Sequence, residues 1–166
     1  FVLGEKHFGS VKGYESIVGI TLGTGVGAGI IIDNKLYRGT NTGAGEIGSL
    51  PYLDSDYEHY CSSSFLIKSG NDGKKIFELA EQGDASALNI WNQFGYHLGK
   101  LLQVVLFVYD PQAIIIGGGI SAASPFFEGA MRESMKKDFP YSRTANNIQI
   151  FFSTLAGSNL LGASKL

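Results

Sequence analysis

A single cysteine among 166 residues removes any internal disulfide from this chain, and Cys61 is compatible with a reducing, cytoplasmic setting. Charge is also sparse: charged residues make up 17% and the net charge is −2. With no basic excess, neither nucleic acid nor an anionic membrane surface is an expected partner. No apolar run reaches the roughly 18 residues that a membrane-spanning helix needs, and no internal repeat marks a solenoid. Hydrophobic residues at 44% give an ordinary globular composition, with enough material for one domain and a sizeable core. The chain fits equally well as a piece of something larger. It opens on FVLGEKHFG, which reads as a helix end, so an upstream segment is expected.

Glycine, by contrast, is abundant, at 23 residues. Residues 18–32 read VGITLGTGVGAGIII, a glycine-rich turn between two apolar runs, with Thr24 at its tip. A backbone without Cβ atoms can turn its N–H groups toward an anion. A dinucleotide-binding G-x-G-x-x-G would have to open a helix. Here Ile30–Ile32 and Asp33-Asn34 follow, a strand ending in a turn. Strand, glycine loop and strand predict a hairpin. That hairpin either cradles a nucleotide phosphate or simply relieves crowding at a tight turn.

Strands are predicted at Ser16–Leu22, Val26–Asn34 and Ile47–Tyr52, with a loop over Asn34–Glu46 punctuated by glycines. Asp54–Gly73 is polar and Ser-rich and reads as irregular. A short helix is predicted at Lys74–Gln82. The strongest helical period covers Ser86–Val108, where Leu88, Trp91, Phe94, Leu98, Leu101 and Val105 recur at steps of three and four. Gly95 and Gly99, one turn apart, would let a neighbour pack close, and Asp110-Pro111 ends the helix. Ala113–Ile116 follows as a buried strand running into Gly117-Gly118-Gly119. Then come a helix at Pro125–Asp138, a strand at Asn147–Ser153 and a helix at Ala156–Lys165. This order implies crossover connections and partly parallel pairing. A glycine turn at the carboxyl end of a parallel strand lies where open α/β sheets place ligands. Gly117–Gly119 is thus either a bare floor for adenine or ribose or a plain helix-entry turn. Two such loops at strand ends favour a nucleotide.

Three blocks in order, GITLGTGVGAGIIIDNKLYRGTNTGAGEIGSLP, DPQAIIIGGGIS and LAGSNLLGAS, resemble the ROK family of sugar kinases and sugar-responsive regulators. The resemblance runs from about Glu5 to Ser164. It implies an α/β fold of the actin-like ATPase (ribonuclease H-like) kind, a mixed sheet with an antiparallel hairpin plus parallel strands and helices packed on it. Residues 1–166 would be the second lobe of a two-lobed protein that holds ATP and sugar in its cleft. By the same resemblance Gly23, Thr24 and Gly25 match the second phosphate loop, and Gly117, Gly118 and Gly119 the glycines beside the adenosine. Glu46 matches the sugar-binding glutamate of the family's E-x-G-H motif, with Gly45 and Ser49 beside it. An ionised carboxylate accepts from two adjacent hydroxyls, which suits that role.

The chain departs from the family pattern at several points. Ser49 replaces the histidine of E-x-G-H. EHYCSSSFL replaces a cysteine-rich zinc segment, and His59 with Cys61 is too small a set for a structural zinc site, so no zinc is expected. The glutamate that closes the zinc segment in relatives has no evident counterpart here. The catalytic aspartate would lie upstream of Phe1, and none of Asp33, Asp54, Asp72 or Asp110 matches its motif. The resemblance implies phosphoryl transfer from ATP with Mg to a hexose or hexose derivative, of glucokinase, fructokinase or N-acetylhexosamine kinase type, by a cytoplasmic homodimer. Two alternatives stand beside this: the ligand-sensing domain of a sugar-responsive repressor, and a non-catalytic sugar-binding relative.

Overall fold

The structure is a computed structural model and describes residues 1–41 and 43–165. Helix α1 (Val2–Phe8) leads into strands β1 (Ile17–Leu22), β2 (Val26–Ile32) and β3 (Lys35–Leu36). A 3₁₀ turn at Ile47–Ser49 precedes the two-residue strands β4 (Pro51–Tyr52) and β5 (Ser55–Asp56). Four helices follow: α2 (Tyr57–Cys61), α3 (Ser63–Lys68), α4 (Gly73–Glu81) and α5 (Ala85–Tyr109). After β6 (Ala113–Gly117) and a 3₁₀ turn at Gly119–Ala123 come α6 (Ser124–Lys136), α7 (Ser142–Asn147), β7 (Gln149–Phe152) and α8 (Ser158–Ala163).

Five strands form one sheet in the order β3-β2-β1-β6-β7. β1 is central, antiparallel to β2 and parallel to β6, and β7 adds in parallel at the edge. Its residues are apolar on both faces because both faces are covered. Val18, Ile20 and Leu22 join Ile114 and Ile116 in the core beneath α5 and α6. Ile17 joins Ile31, Ala113 and Ile115 in a second core beneath α1, so the two-residue period survives inside runs that look uniformly apolar. Gly19 and Gly29 pair across the ladder on that second face. A Cβ on either would press to within 2.8 or 2.7 Å of the Val2 side chain, so these glycines make room for α1. Asp33 and Asn34 both take positive φ, 50° and 63°, the geometry that turns β2 tightly into β3.

Most predicted elements are present with boundaries moved by a residue or two. The predicted strand at Ile47–Tyr52 is not one: only Pro51 and Tyr52 pair as a strand, with β5 in a separate ribbon. The reason lies just before it. Gly45 has φ of +86° and packs its backbone on the Ala28 carbonyl, and a Cβ on Gly48 would stand 2.8 Å from the Val26 carbonyl. Pinned at both points against β2, the chain has to coil between them. The segment expected to be irregular, 54–73, contains α2 and α3. Asp56 Oδ1 accepts from the His59 N–H at 2.9 Å and Ser62 Oγ from the Ser64 N–H at 3.2 Å, so polar residues that read as loop are helix caps. The last helix is shorter than predicted, and α7 was not anticipated.

Candidate functional site

The hairpin between β1 and β2 turns over only Gly23, Thr24 and Gly25; Gly27 and Gly29 already belong to β2. The Gly23 N–H donates to the Gly25 carbonyl at 3.0 Å, and the Gly23 carbonyl accepts from the Ser63 N–H at 2.8 Å. The Val26 N–H donates to Glu58 Oε2 at 3.0 Å. Among the described residues the Thr24 and Gly25 amides have no backbone partner, and Thr24 is exposed at the tip. The phosphate-cradle reading of this loop therefore narrows to two amides and one hydroxyl, since the Gly23 N–H is spent inside the turn. A Cβ on Gly25 would lie 2.5 Å from Glu58 Oε2, whereas one on Gly23 would meet nothing within 4 Å.

Because β1 and β6 run parallel with Thr21 opposite Gly117, their carboxyl ends deliver both glycine loops to the same edge of the sheet. Gly118 has φ of +88°, and a Cβ there would overlap the Leu22 backbone. This is the one conformation in the triplet that demands glycine. The Ser121 hydroxyl donates to the Gly118 carbonyl at 2.7 Å and closes the turn. Gly119 is open on its free side. A cavity of about 350 Å³ lies between the loops, walled by residues 21–27, Glu58, Gly118 and Gly119. It adjoins a larger one of about 1050 Å³ that runs beneath α1 and residues 153–157. Behind Gly119 a third, of about 320 Å³, is bounded by apolar side chains that include Leu66, Phe77, Trp91 and Ile120.

Gly45, Glu46 and Ser49 line none of these cavities. They form a segment laid along β2, with Gly45 buried, Ile47 buried in the core, and Glu46 and Ser49 exposed. The Glu46 carboxylate has no hydrogen bond among the described residues. Glu58 joins the two regions: its carboxylate touches the hairpin, and its Cβ would lie 3.5 Å from a Cβ on Gly48. The sequence reading missed Glu58. The usable signal was its place as the second residue of α2, one step after the capping Asp56-Tyr57 pair. Among the described residues it is the one carboxylate lining the cavity between the loops.

The segment from Tyr52 to Phe65 is held by aromatic packing. Tyr52 stacks on Tyr57 with centroids 4.2 Å apart, and its hydroxyl bonds His97 Nδ1 at 3.1 Å. Tyr60 donates to Asp54, which lowers the Asp54 pKa and raises that of the Tyr60 hydroxyl. Burial pushes the Cys61 thiol up and the His97 imidazole down. The other aspartates are engaged in turns and helix ends. Asp33 sits in the β2–β3 turn, Asp72 caps α4 through the Lys75 N–H at 2.8 Å, and Asp110 ends α5 with φ of +41°. Among the described residues no three His, Cys, Asp or Glu side chains gather as a metal site.

A five-stranded mixed sheet that carries two glycine loops at the carboxyl ends of neighbouring parallel strands, with helices on both faces, is a lobe of the actin-like ATPase fold. The chain belongs to the ROK family, whose model matches residues 1–65 and 66–166. A xylose repressor of Bacillus subtilis (strain 168) is 32% identical over 182 residues, covering 98% of this chain and 47% of the repressor. A glucokinase of Thermotoga maritima is 29% identical over 198 residues, covering 100% of this chain and 62% of the enzyme. The crystal structure of a ROK family glucokinase from Streptomyces griseus in complex with glucose and AMPPNP matches with a TM-score of 0.89 at 28% identity, over 99% of this chain and 64% of that one. The chain thus spans about half to just under two thirds of the relatives it matches.

Proposed function

We propose that residues 1–166 form the second lobe of an ATP-dependent sugar kinase that phosphorylates a hexose or hexose derivative. The observation that carries this reading is the meeting of the two glycine loops around one cavity, with the Thr24 and Gly25 amides unbonded among the described residues. Those amides and the Thr24 hydroxyl would receive the phosphates of MgATP, the metal arriving as part of that substrate on the phosphate oxygens. Gly118 and Gly119 would lie under the ribose, and the apolar space behind Gly119 suits a flat base. Glu46 would accept from sugar hydroxyls, with Gly45 setting its backbone and Ser49 offering a hydroxyl beside it. Glu58 would hold the hairpin in shape through the Val26 N–H. Phosphoryl transfer depends on in-line positioning and charge stabilisation, which is what backbone amides and oriented carboxylates supply. The base that takes the hydroxyl proton would come from outside this chain, since every aspartate with a described role here is a cap, a turn residue or a partner of Tyr60.

The test is a coupled ADP-release assay on the full-length protein with MgATP and glucose, fructose and N-acetylated hexoses in turn. Sugar-dependent ADP release is expected, and Gly25→Val should weaken ATP binding at least about tenfold by blocking backbone approach, with sugar binding kept. The 32% identity to a xylose repressor supports a second reading, a sugar-sensing repressor domain. Calorimetric sugar binding with no ADP release under any sugar would favour it.

A further inference from the structure

Glu5, in the middle of α1, has no exposed surface, and among the described residues it is the one charged side chain buried in this way. Among the described residues no lysine, arginine or histidine pairs with it, and the Phe1 amino group feels its charge. A buried carboxylate is costly unless donors answer its lone pairs. The Ser153 hydroxyl donates to Oε1 at 2.5 Å, and the Ser10 N–H to Oε2 at 3.4 Å. Gly9 makes the space, because a Cβ there would overlap Oε2. Ser153 does more than satisfy the carboxylate. Its hydroxyl oxygen accepts the Leu155 N–H at 3.3 Å, and its own N–H donates to the Ile116 carbonyl at 2.8 Å. It is therefore the corner where β7 leaves the sheet beside Gly117 and begins residues 153–157, a wall of the large cavity that also holds Gly118 and Gly119. Behind that wall α1 and α8 cross at glycines: a Cβ on Gly162 would stand 2.8 Å from the Gly4 nitrogen.

We propose that Glu5 is a positioning residue for the nucleotide: through Ser153 it sets residues 153–157 against the glycine triplet. The proposal rests on the kinase reading above. A glutamate that merely filled the core would affect both ligands, or neither, through stability alone. Residues 153–157 share the large cavity with Gly118 and Gly119, whereas Glu46 lines no cavity, so an effect of Glu5 passed through this wall should fall on the nucleotide more than on the sugar.

The experiment uses the full-length protein, with ADP and the hexose that supports turnover titrated separately by calorimetry. Ser153→Ala and Glu5→Leu are each expected to raise the ADP dissociation constant about tenfold and to leave the sugar constant within about twofold. Glu5→Gln keeps a carbonyl acceptor for the Ser153 hydroxyl and should stay within about threefold of wild type. The double variant should be no worse than the worse single one, as expected for two members of one unit. Should Glu5→Leu fail to fold, Ser153→Ala decides. Wild-type ADP affinity in Ser153→Ala, or parallel loss of ADP and sugar, overturns the proposal while the kinase reading stands. A wild-type protein that binds sugar but no nucleotide overturns both.

Discussion

Glu46 stands between Gly45, whose backbone leans on Ala28, and Ile47, which is buried, so its main chain is held while its carboxylate points out. Backbone support of this kind leaves only the side-chain rotamers to be ordered on meeting a ligand, which suits an acceptor for sugar hydroxyls. Glu46→Gln keeps the size but weakens acceptance from two hydroxyls at once. Losing one or two charge-assisted bonds at about 1.5–3 kcal/mol each should lower sugar kcat/KM by ten- to a hundredfold or more. Calorimetry on the full-length variant should show ATP binding unchanged, because the nucleotide is assigned to the loops around Gly25 and Gly118. Wild-type sugar affinity and turnover would remove Glu46 from the site.

At the scale of elements, α5 and α6 carry the larger core on one face of the sheet, and Gly95 and Gly99 set their spacing. A Cβ on Gly99 would stand 2.8 Å from the Met135 nitrogen and would overlap the Met131 carbonyl. Alanine would gain up to about 1 kcal/mol in helix propensity at an open site. Here the partner is rigid backbone, so overpacking at about 1–3 kcal/mol wins and Gly99→Ala destabilises. The melting temperature should fall by several degrees, read by calorimetry or circular dichroism; a rise would mean that α6 moves away freely.

The ribbon and α2 are tied to α5 at His97, which is surrounded by Tyr52, Tyr60, Phe65 and Tyr96. Burial lowers its pKa from the ordinary 6.5, so the folded state prefers neutral imidazole, which can accept from the Tyr52 hydroxyl. The unfolded chain then takes the proton first as the pH falls. Stability from this group is present above about pH 6.5 and declines below it, down to the folded pKa. Melting curves from pH 7.5 to 5 should show that slope, and His97→Phe should flatten it. An unchanged slope would assign it to other groups.

For the molecule as a whole, the aromatic cluster bears on whether this fold needs a structural metal. Ser49 offers no imidazole, and the Cys61 thiol is fully buried with its pKa pushed up, the opposite of a ready thiolate ligand. Stacked Tyr52 and Tyr57 and the caps on α2 and α3 supply cohesion in the same segment. Purified full-length protein should hold well under about one zinc per chain after dialysis, and EDTA should leave its melting temperature unchanged. One tightly held zinc per chain would contradict this.

The sequence alone determined what local chemistry controls. The two apolar strands, the glycine turn at Thr24, the Asp33-Asn34 turn and the long helix stopped at Asp110-Pro111 are each written in a few neighbouring residues, because periodicity and turn geometry are local properties. The ordered motifs were enough to point to the family. Tertiary structure decided which glycines serve which purpose: Gly19 and Gly29 admit α1, Gly118 yields to Leu22, and only Gly23–Gly25 form the turn. It also turned Ile47–Ser49 into a 3₁₀ coil, made caps of polar residues at 56 and 62, and brought Glu58 to the hairpin and Glu5 to Ser153 across 148 positions of chain. These outcomes depend on which backbone lies within van der Waals reach once the sheet is assembled, and no run of neighbouring residues records that.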